Sequence, residues 1–259
     1  MSGTIVTARA GAVATVTLSN PGKRNALDLA MWRSLRQAVE ALSADDELRC
    51  LLVRGEGREA FAAGGDIEEF RVQRDTVDRA MSYHATAGAA LAALHDFGKP
   101  TIALIEGACM GGGLEIAAQC DLRICGVSAR FGVPINRLGF SMYPGEMEGL
   151  LRLLGSATMC ELLLEGRILD ASEALAKGLV TRVVADDEVL GEAYACARRI
   201  CAGAPLVARW HKQWIRRLQQ GLPLSEDEQR ASFAFLYTED YREGLNAFIE
   251  KRTPEFRGR

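Results

Sequence analysis

Residues 99–120 read KPTIALIEGACMGGGLEIAAQC. A short apolar run follows a lysine-proline pair, passes into three consecutive glycines, and continues as a helix-forming stretch. This unit of strand, glycine loop and helix constrains the fold most, because it recurs. LRCLLVRGEG (48–57) is a buried strand ending in a glycine loop, and FAAGGDIEEF (61–70) is a second glycine-bearing loop. Residues 76–97 read as a long alanine-rich helix stopped by Gly98 and Pro100. DLRICG (121–126) is another strand, residues 141–165 are a glycine-rich loop followed by helix, and LDASEALAKGLVTRVV (169–184) is a helix ended by Gly178 and then a strand. Strands that alternate with helices assemble into a mostly parallel sheet with covering helices, so an α/β fold is expected.

The two ends differ from this middle. TIVTARA and AVATVTL alternate around Gly11 in the pattern of a β-hairpin. SNPGKRNALD is a turn-rich connector. Leu27, Met31, Leu35, Ala38 and Leu42 then recur at helical spacing, with Asp28 placed in the first turn, where a carboxylate suits the helix dipole. After about residue 186 strand signals stop, and 187–203, 205–220 and 225–251 read as helix. The expected division is a core of residues 1–190 and a helical C-terminal region of residues 191–259.

Bulk properties narrow the function classes. The 259 residues are 48% hydrophobic and 25% charged with a net charge of −3, the balance of a globular protein and not of a basic nucleic-acid binder. No apolar run reaches the ~18 residues that span a bilayer, and the N-terminus lacks the pattern of a signal peptide. Seven cysteines, an odd number without a C-x-x-C pair, read as buried reduced thiols in a reducing compartment, so a cytoplasmic location without membrane contact is expected. The phosphate-binding loops G-x-G-x-x-G and G-x-x-x-x-G-K-[ST] do not occur.

The chemistry concentrates in the two glycine loops, FAAGGDI and MGGGLE. Glycine lets the backbone approach a ligand closely, and a helix start offers free N–H groups. Two such N–H groups converging on one oxygen stabilise an oxyanion. Either loop alone could equally be a tight turn. Taken together with their surroundings, NPGKRNAL, FAAGGDI, KPTIALIEGACMGGGLEIAAQCDLRIC, ARFGVP and EALAKGLVTRVV resemble, in order, the enoyl-CoA hydratase/isomerase (crotonase) family over nearly the whole chain.

The resemblance implies a crotonase-like spiral of ββα units with a helical C-terminal trimerisation region, hence a homotrimer or hexamer. It implies an acyl-CoA thioester as substrate, coenzyme A entering only as part of it, with no separate cofactor and no metal. Its oxyanion hole maps to Gly65 and Gly112. The CoA moiety maps to Arg24, Ala26 and Leu27, with Ala62, Gly64, Asp66 and Ile67 near adenine and pantetheine, and Phe248 and Lys251 offered by a neighbouring subunit. Asp66 is also expected to brace its own loop. Of the family's two glutamates, the first matches Glu115. The second follows FG-x-P, where this chain has Ile135, which can neither transfer a proton nor hold a water.

Glu146 and Glu148 are candidates to replace that acid, and Tyr143 is another, because some decarboxylases of the family use a tyrosine from this segment. Asn136 could orient a ligand. Hydration of a 2-enoyl-CoA is the default activity, with double-bond isomerisation, decarboxylation, or thioester binding without turnover as alternatives, and RNA binding as a weaker side activity. His84, His95 and His211 show no metal-ligand spacing and are read as structural or surface residues. Cys109 is read as a small buried thiol, Ser141 lacks a nucleophile elbow, and WHKQWIRRL (210–218) is read as a packed and solvated helix face.

Overall fold

The computed structural model describes residues 2–259, and two sheets share the strands that the sequence alternates. β1 (Thr4–Ala10) and β2 (Val13–Ser19) form the antiparallel hairpin expected around Gly11. β2 then pairs in parallel with β3 (Cys50–Gly55), β3 with β5 (Thr101–Ile105), β5 with β7 (Leu122–Gly126), and β7 with β10 (Arg182–Val184). The second sheet is built from three-residue strands: β4 (Ala60–Ala62), β6 (Ala108–Met110), β8 (Arg130–Gly132) and β9 (Ile168–Asp170), in that order. Each passage along the chain therefore lays one strand in each sheet and then a helix, three times over: β3 and β4, β5 and β6, β7 and β8. The fold is thus mixed α/β, as expected, but with two sheets where the sequence reading placed one. Strands of three residues are too short for period-two alternation to be read.

The long strands read as unbroken apolar runs because both faces of the larger sheet are buried. Leu51, Val53, Ala103 and Ile105 face the main core with Trp32, Leu35 and Leu94. Their alternates Cys50, Leu52, Ile102 and Leu104 pack under α7 (Val189–Cys201) through Val189, Ala193, Cys196 and Ala197. The residue 190 boundary thus falls inside a helix that covers the sheet, and the segment beyond the sheet starts at α8 (Pro205–Leu218). On α8, Lys212 is buried. It donates to the Lys99 carbonyl at 2.8 Å and pairs with Asp121 at 2.7 Å, tying the helix to the core.

α1 (Leu29–Ser43) starts two residues later than the spacing suggested. Asp28 is its N-cap, accepting from the Met31 N–H at 2.8 Å, and Leu27 is drawn out of the helix into a bridge with Gly65. The stretch 225–251 is not one helix but α9 (Glu226–Ala231), a 3-10 turn and α10 (Glu239–Glu250). Ser225 and Thr238 each cap a new start. α6 (Ala171–Ala176) ends as expected, with Gly178 at φ +75°. The cysteines are all free, but Cys160 is exposed and Cys201 only half-buried, so the reading of uniformly buried thiols is corrected there. Both lie on helices whose outer faces tolerate a small polarizable side chain.

Between the sheets and α5 (Pro144–Cys160), three further helices frame a cavity: α2 (Ile67–Gln73), α3 (Val77–His95) and α4 (Gly112–Gln119). The seat of α4 depends on Gly113. A β-carbon there would lie 2.8 Å from both the Ala62 β-carbon and the Ala62 carbonyl oxygen, so α4 rests directly on β4. Gly88, in α3, has nothing within 4 Å of an added β-carbon. Gly113→Ala is therefore expected to lower stability by about 1–3 kcal/mol through overpacking against backbone. Gly88→Ala should raise it by about 0.5–1 kcal/mol through helix propensity. Urea unfolding at constant m-value measures both.

Candidate active site

The two glycine loops touch. Gly64 has φ +106° and Gly111 φ +46°, conformations that L side chains rarely adopt, and a β-carbon on Gly111 would come 3.5 Å from the Gly64 α-carbon. The first loop is pinned from below. The Leu27 N–H donates to the Gly64 carbonyl at 2.7 Å and the Asp66 N–H to the Leu27 carbonyl at 2.9 Å. The second is held by the Gly111 N–H, which donates to the Gly132 carbonyl at 2.9 Å. Among the described residues, the N–H groups of Gly65 and of Gly112, the first residue of α4, have no protein acceptor, and both glycines line one cavity of about 210 Å³. The opening of α4 adds the positive end of its dipole at the same place.

Two carboxyl groups from different helices line that cavity: Glu115 on α4 and Glu146 in the first turn of α5. Glu115 is 6% exposed. Burial first, then the charge of Glu146, push its carboxyl well above the usual carboxylate range, with Arg74 pulling the other way. Glu146 is also buried, and its Oε1 accepts a hydrogen bond from His84 Nδ1 at 2.6 Å. The His84 ring stacks on Tyr143, with centroids 4.6 Å apart and planes at 21°. His84 is the residue that sequence reasoning missed. It was set aside for lack of metal-ligand spacing, and its partner lies sixty-two residues away on another helix. Placing it on the buried stripe of α3 with Tyr83, Ala87, Ala90 and Leu91 was the only signal available.

The remaining walls are apolar and aromatic. Ile135, Val133 and Met142 line one side. On the other, Phe70 packs edge-on to Tyr83 and to Phe140, with centroid distances of 5.5 and 6.0 Å. The Trp32 Nε1–H donates to the Tyr83 hydroxyl at 3.1 Å, and burial pushes that phenol's pKa up.

Of the expected site residues, Glu115, Gly65, Gly112, Glu146, Tyr143, Gly64 and Ile67 meet at the cavity. Glu148 does not. It is exposed and paired with Arg152 at 3.1 Å, one helical turn on, so the reading of it as a replacement acid is corrected. Asn136 is likewise committed elsewhere, its amide donating to the Leu164 carbonyl at 3.0 Å. Ala26, Leu27 and Ala62 are buried and do not line this cavity. Arg24 is exposed in a left-handed conformation at φ +50°, and its carbonyl accepts from the Ala63 N–H at 3.0 Å. Asp66 caps α2 through the Glu68 N–H and pairs with Lys23 at 2.7 Å, bracing its loop. Phe248 and Lys251 are exposed at the end of α10 and do not line this cavity. Cys109 is fully buried in β6, where burial pushes its thiol well above the ordinary value. Among the described residues, no three His, Cys, Asp or Glu side chains are grouped to hold a metal ion, and no helix is long and apolar enough to cross a membrane.

The sequence and the fold are similar to those of known proteins. Residues 8–259 match the family described as enoyl-CoA hydratase/isomerase. A probable enoyl-CoA hydratase of Mycobacterium tuberculosis is 37% identical over 98% of this chain and 97% of its own length. The 2,3-dehydroadipyl-CoA hydratase of Escherichia coli is 34% identical over 98% and 99%. A crystal structure described as an enoyl-CoA hydratase/carnithine racemase from Magnetospirillum magneticum superposes with a TM-score of 0.96 at 48% identity, covering 98% of this chain and 96% of that one. On sequence and on fold, over nearly its whole length, this chain belongs to the enoyl-CoA hydratase/isomerase family.

Proposed function

We propose that this protein adds water across the double bond of a 2-enoyl-CoA thioester, with Glu146 in place of the glutamate that Ile135 displaces. The observation that carries this reading is the convergence of two buried carboxyl groups, from α4 and α5, on the cavity beneath the paired glycine loops. The thioester oxygen lies against the N–H groups of Gly65 and Gly112. These favour the enolate over the ground-state carbonyl, the differential stabilisation that accelerates a reaction.

The Glu146 carboxylate takes a proton from water as the water oxygen bonds to the β-carbon. The π electrons move onto the thioester oxygen, and Glu115, held as the acid by its burial, gives its proton to the α-carbon as the enolate collapses. The cycle closes when the proton on Glu146 returns to Glu115. His84 fixes the orientation of the Glu146 carboxylate through its Nδ1–H. Coenzyme A enters with the substrate, and no further cofactor takes part in these steps. The exposed Phe233, Leu236, Tyr237, Phe248 and Ile249 of the C-terminal segment support a homotrimer or hexamer, and the free thiols support a reducing, cytoplasmic setting.

Double-bond isomerisation is the second reading, favoured by Ile135, since an apolar wall at that position suits one base shuttling a proton between the α- and γ-carbons. Mass spectrometry of products from 2-enoyl- and 3-enoyl-CoA thioesters separates the two. Hydration predicts the gain of one water from the 2-enoyl substrate, lost in both Glu115→Gln and Glu146→Gln. An isomeric product of unchanged mass would overturn it.

Glu115→Gln is expected to lower kcat by about 10²–10⁴. The same change should stabilise the fold. The Glu115 carboxyl has its pKa raised on folding from an ordinary 4.5, so the folded chain binds this proton more tightly than the unfolded chain. The stability it contributes is present below the unfolded value and is lost as pH rises through the folded value. In thermal unfolding, Glu115→Gln should therefore melt higher than the parent at about pH 7–8, with the gap closing below about pH 4.5.

His84→Phe keeps the stack on Tyr143 and removes the hydrogen bond to Glu146. It should lower kcat about tenfold or more with KM little changed, as measured in steady-state kinetics.

A further inference from the structure

The charged residues lining the cavity are Arg74, Glu115 and Glu146. Two of the three are accounted for. Glu115 and Glu146 are both buried and assigned to the proton transfers above, and Glu146 is engaged by His84. The third, Arg74, sits at the C-terminal end of α2, half-buried, and among the described residues its guanidinium has neither an ion-pair nor a hydrogen-bond partner. Three aromatic rings hold it instead. Its guanidinium carbon lies 4.2 Å from the Phe70 centroid, 4.9 Å from Phe140 and 5.6 Å from Tyr83. Rings can satisfy the flat faces of a guanidinium, but they accept nothing from its N–H edge. That edge is a fork of donors matched to a carboxylate, and the surrounding apolar walls strengthen such a pair relative to water.

A cation of this kind is out of place in a cavity built only for a plain alkyl chain, whose burial needs no charge. We infer that Arg74 reads a second negative group on the acyl chain, so that the preferred substrate is the CoA thioester of a dicarboxylic acid, its free carboxylate pairing with the Arg74 guanidinium. This rests on the acyl-CoA reading above. Two other uses of Arg74 make different demands. If it bound a phosphate of CoA, every thioester would need it equally. If it only braced the rings or tuned Glu115, its loss would not discriminate between acyl groups.

The test is calorimetric titration of the protein with saturated CoA thioesters of a dicarboxylic acid and of the monocarboxylic acid of equal chain length, which bind without turning over. The parent should bind the dicarboxylic thioester about ten- to a hundredfold more tightly. Arg74→Met, which keeps the unbranched stem against Phe70, should abolish that preference while leaving the affinity for the alkyl thioester within about threefold of the parent. Equal affinity of the parent for the two thioesters overturns the inference, as does an equal loss of both in Arg74→Met. The corresponding 2-enoyl thioesters, assayed separately, report on the hydratase reading. Turnover without carboxylate preference removes Arg74 from specificity and leaves hydration standing, whereas carboxylate preference in binding without turnover does the reverse.

Discussion

The contact between two glycine loops governs the rest of this structure. Gly64 and Gly111 each occupy a backbone conformation that side chains resist, and together they let two chain segments from successive ββα units approach within van der Waals distance. Everything beneath is arranged to hold that contact. Leu27 leaves its helix to bridge Gly65, Asp66 caps α2 and grips Lys23, and Gly113 lets α4 lie flat on β4. Three consecutive glycines thus do three separate jobs. The first makes the turn, the second presents an N–H to the cavity beside Trp32, and the third admits the helix to the sheet. The conformational entropy lost in ordering them is offset by tight packing around the loop.

Electrostatics follow from the same burial. The Glu115 carboxyl, in the first turn of α4 but buried, is pushed well above the usual carboxylate range by that burial. Glu146, equally buried, is held by an imidazole instead. Two acids in one pocket thereby have different surroundings, one held by burial alone and one by a hydrogen bond. The Tyr143 ring stacks on His84, the partner of Glu146, and the Tyr83 hydroxyl accepts from Trp32 in the same wall.

The sequence was legible where physical signals are local. The hairpin around Gly11, the buried runs of β3 and β5, the stop at Gly178 and the helical end all follow from periodicity and turn chemistry and were found where expected. The three-residue strands of the second sheet carry no period and could not be read. Asp28 looked like a first-turn carboxylate and is a cap, because tertiary pairing of Leu27 with Gly65 moves the helix start. Within the site, the glycine loops were legible as places where backbone can approach a ligand, whereas Glu115 was reached through the family resemblance, because a carboxylate in a first helical turn also suits the helix dipole. Glu146 and Glu148 were indistinguishable there, two residues apart, until the fold turned one inward and the other to Arg152. His84 and Arg74 were illegible for a stronger reason. Each takes its meaning from a partner, or from the want of one, in elements distant along the chain.

The central claim is that the Gly65 and Gly112 N–H groups polarise a thioester carbonyl. Isotope-edited infrared spectroscopy of a 2-enoyl-CoA labelled at the thioester carbon, bound to Glu115→Gln so that it persists, measures this directly. The account predicts a carbonyl stretch displaced to lower frequency than that of the same thioester free in water, because two fixed donors in a dry cavity draw more electron density to oxygen than mobile water does. A bound carbonyl that absorbs where the free one does would contradict it.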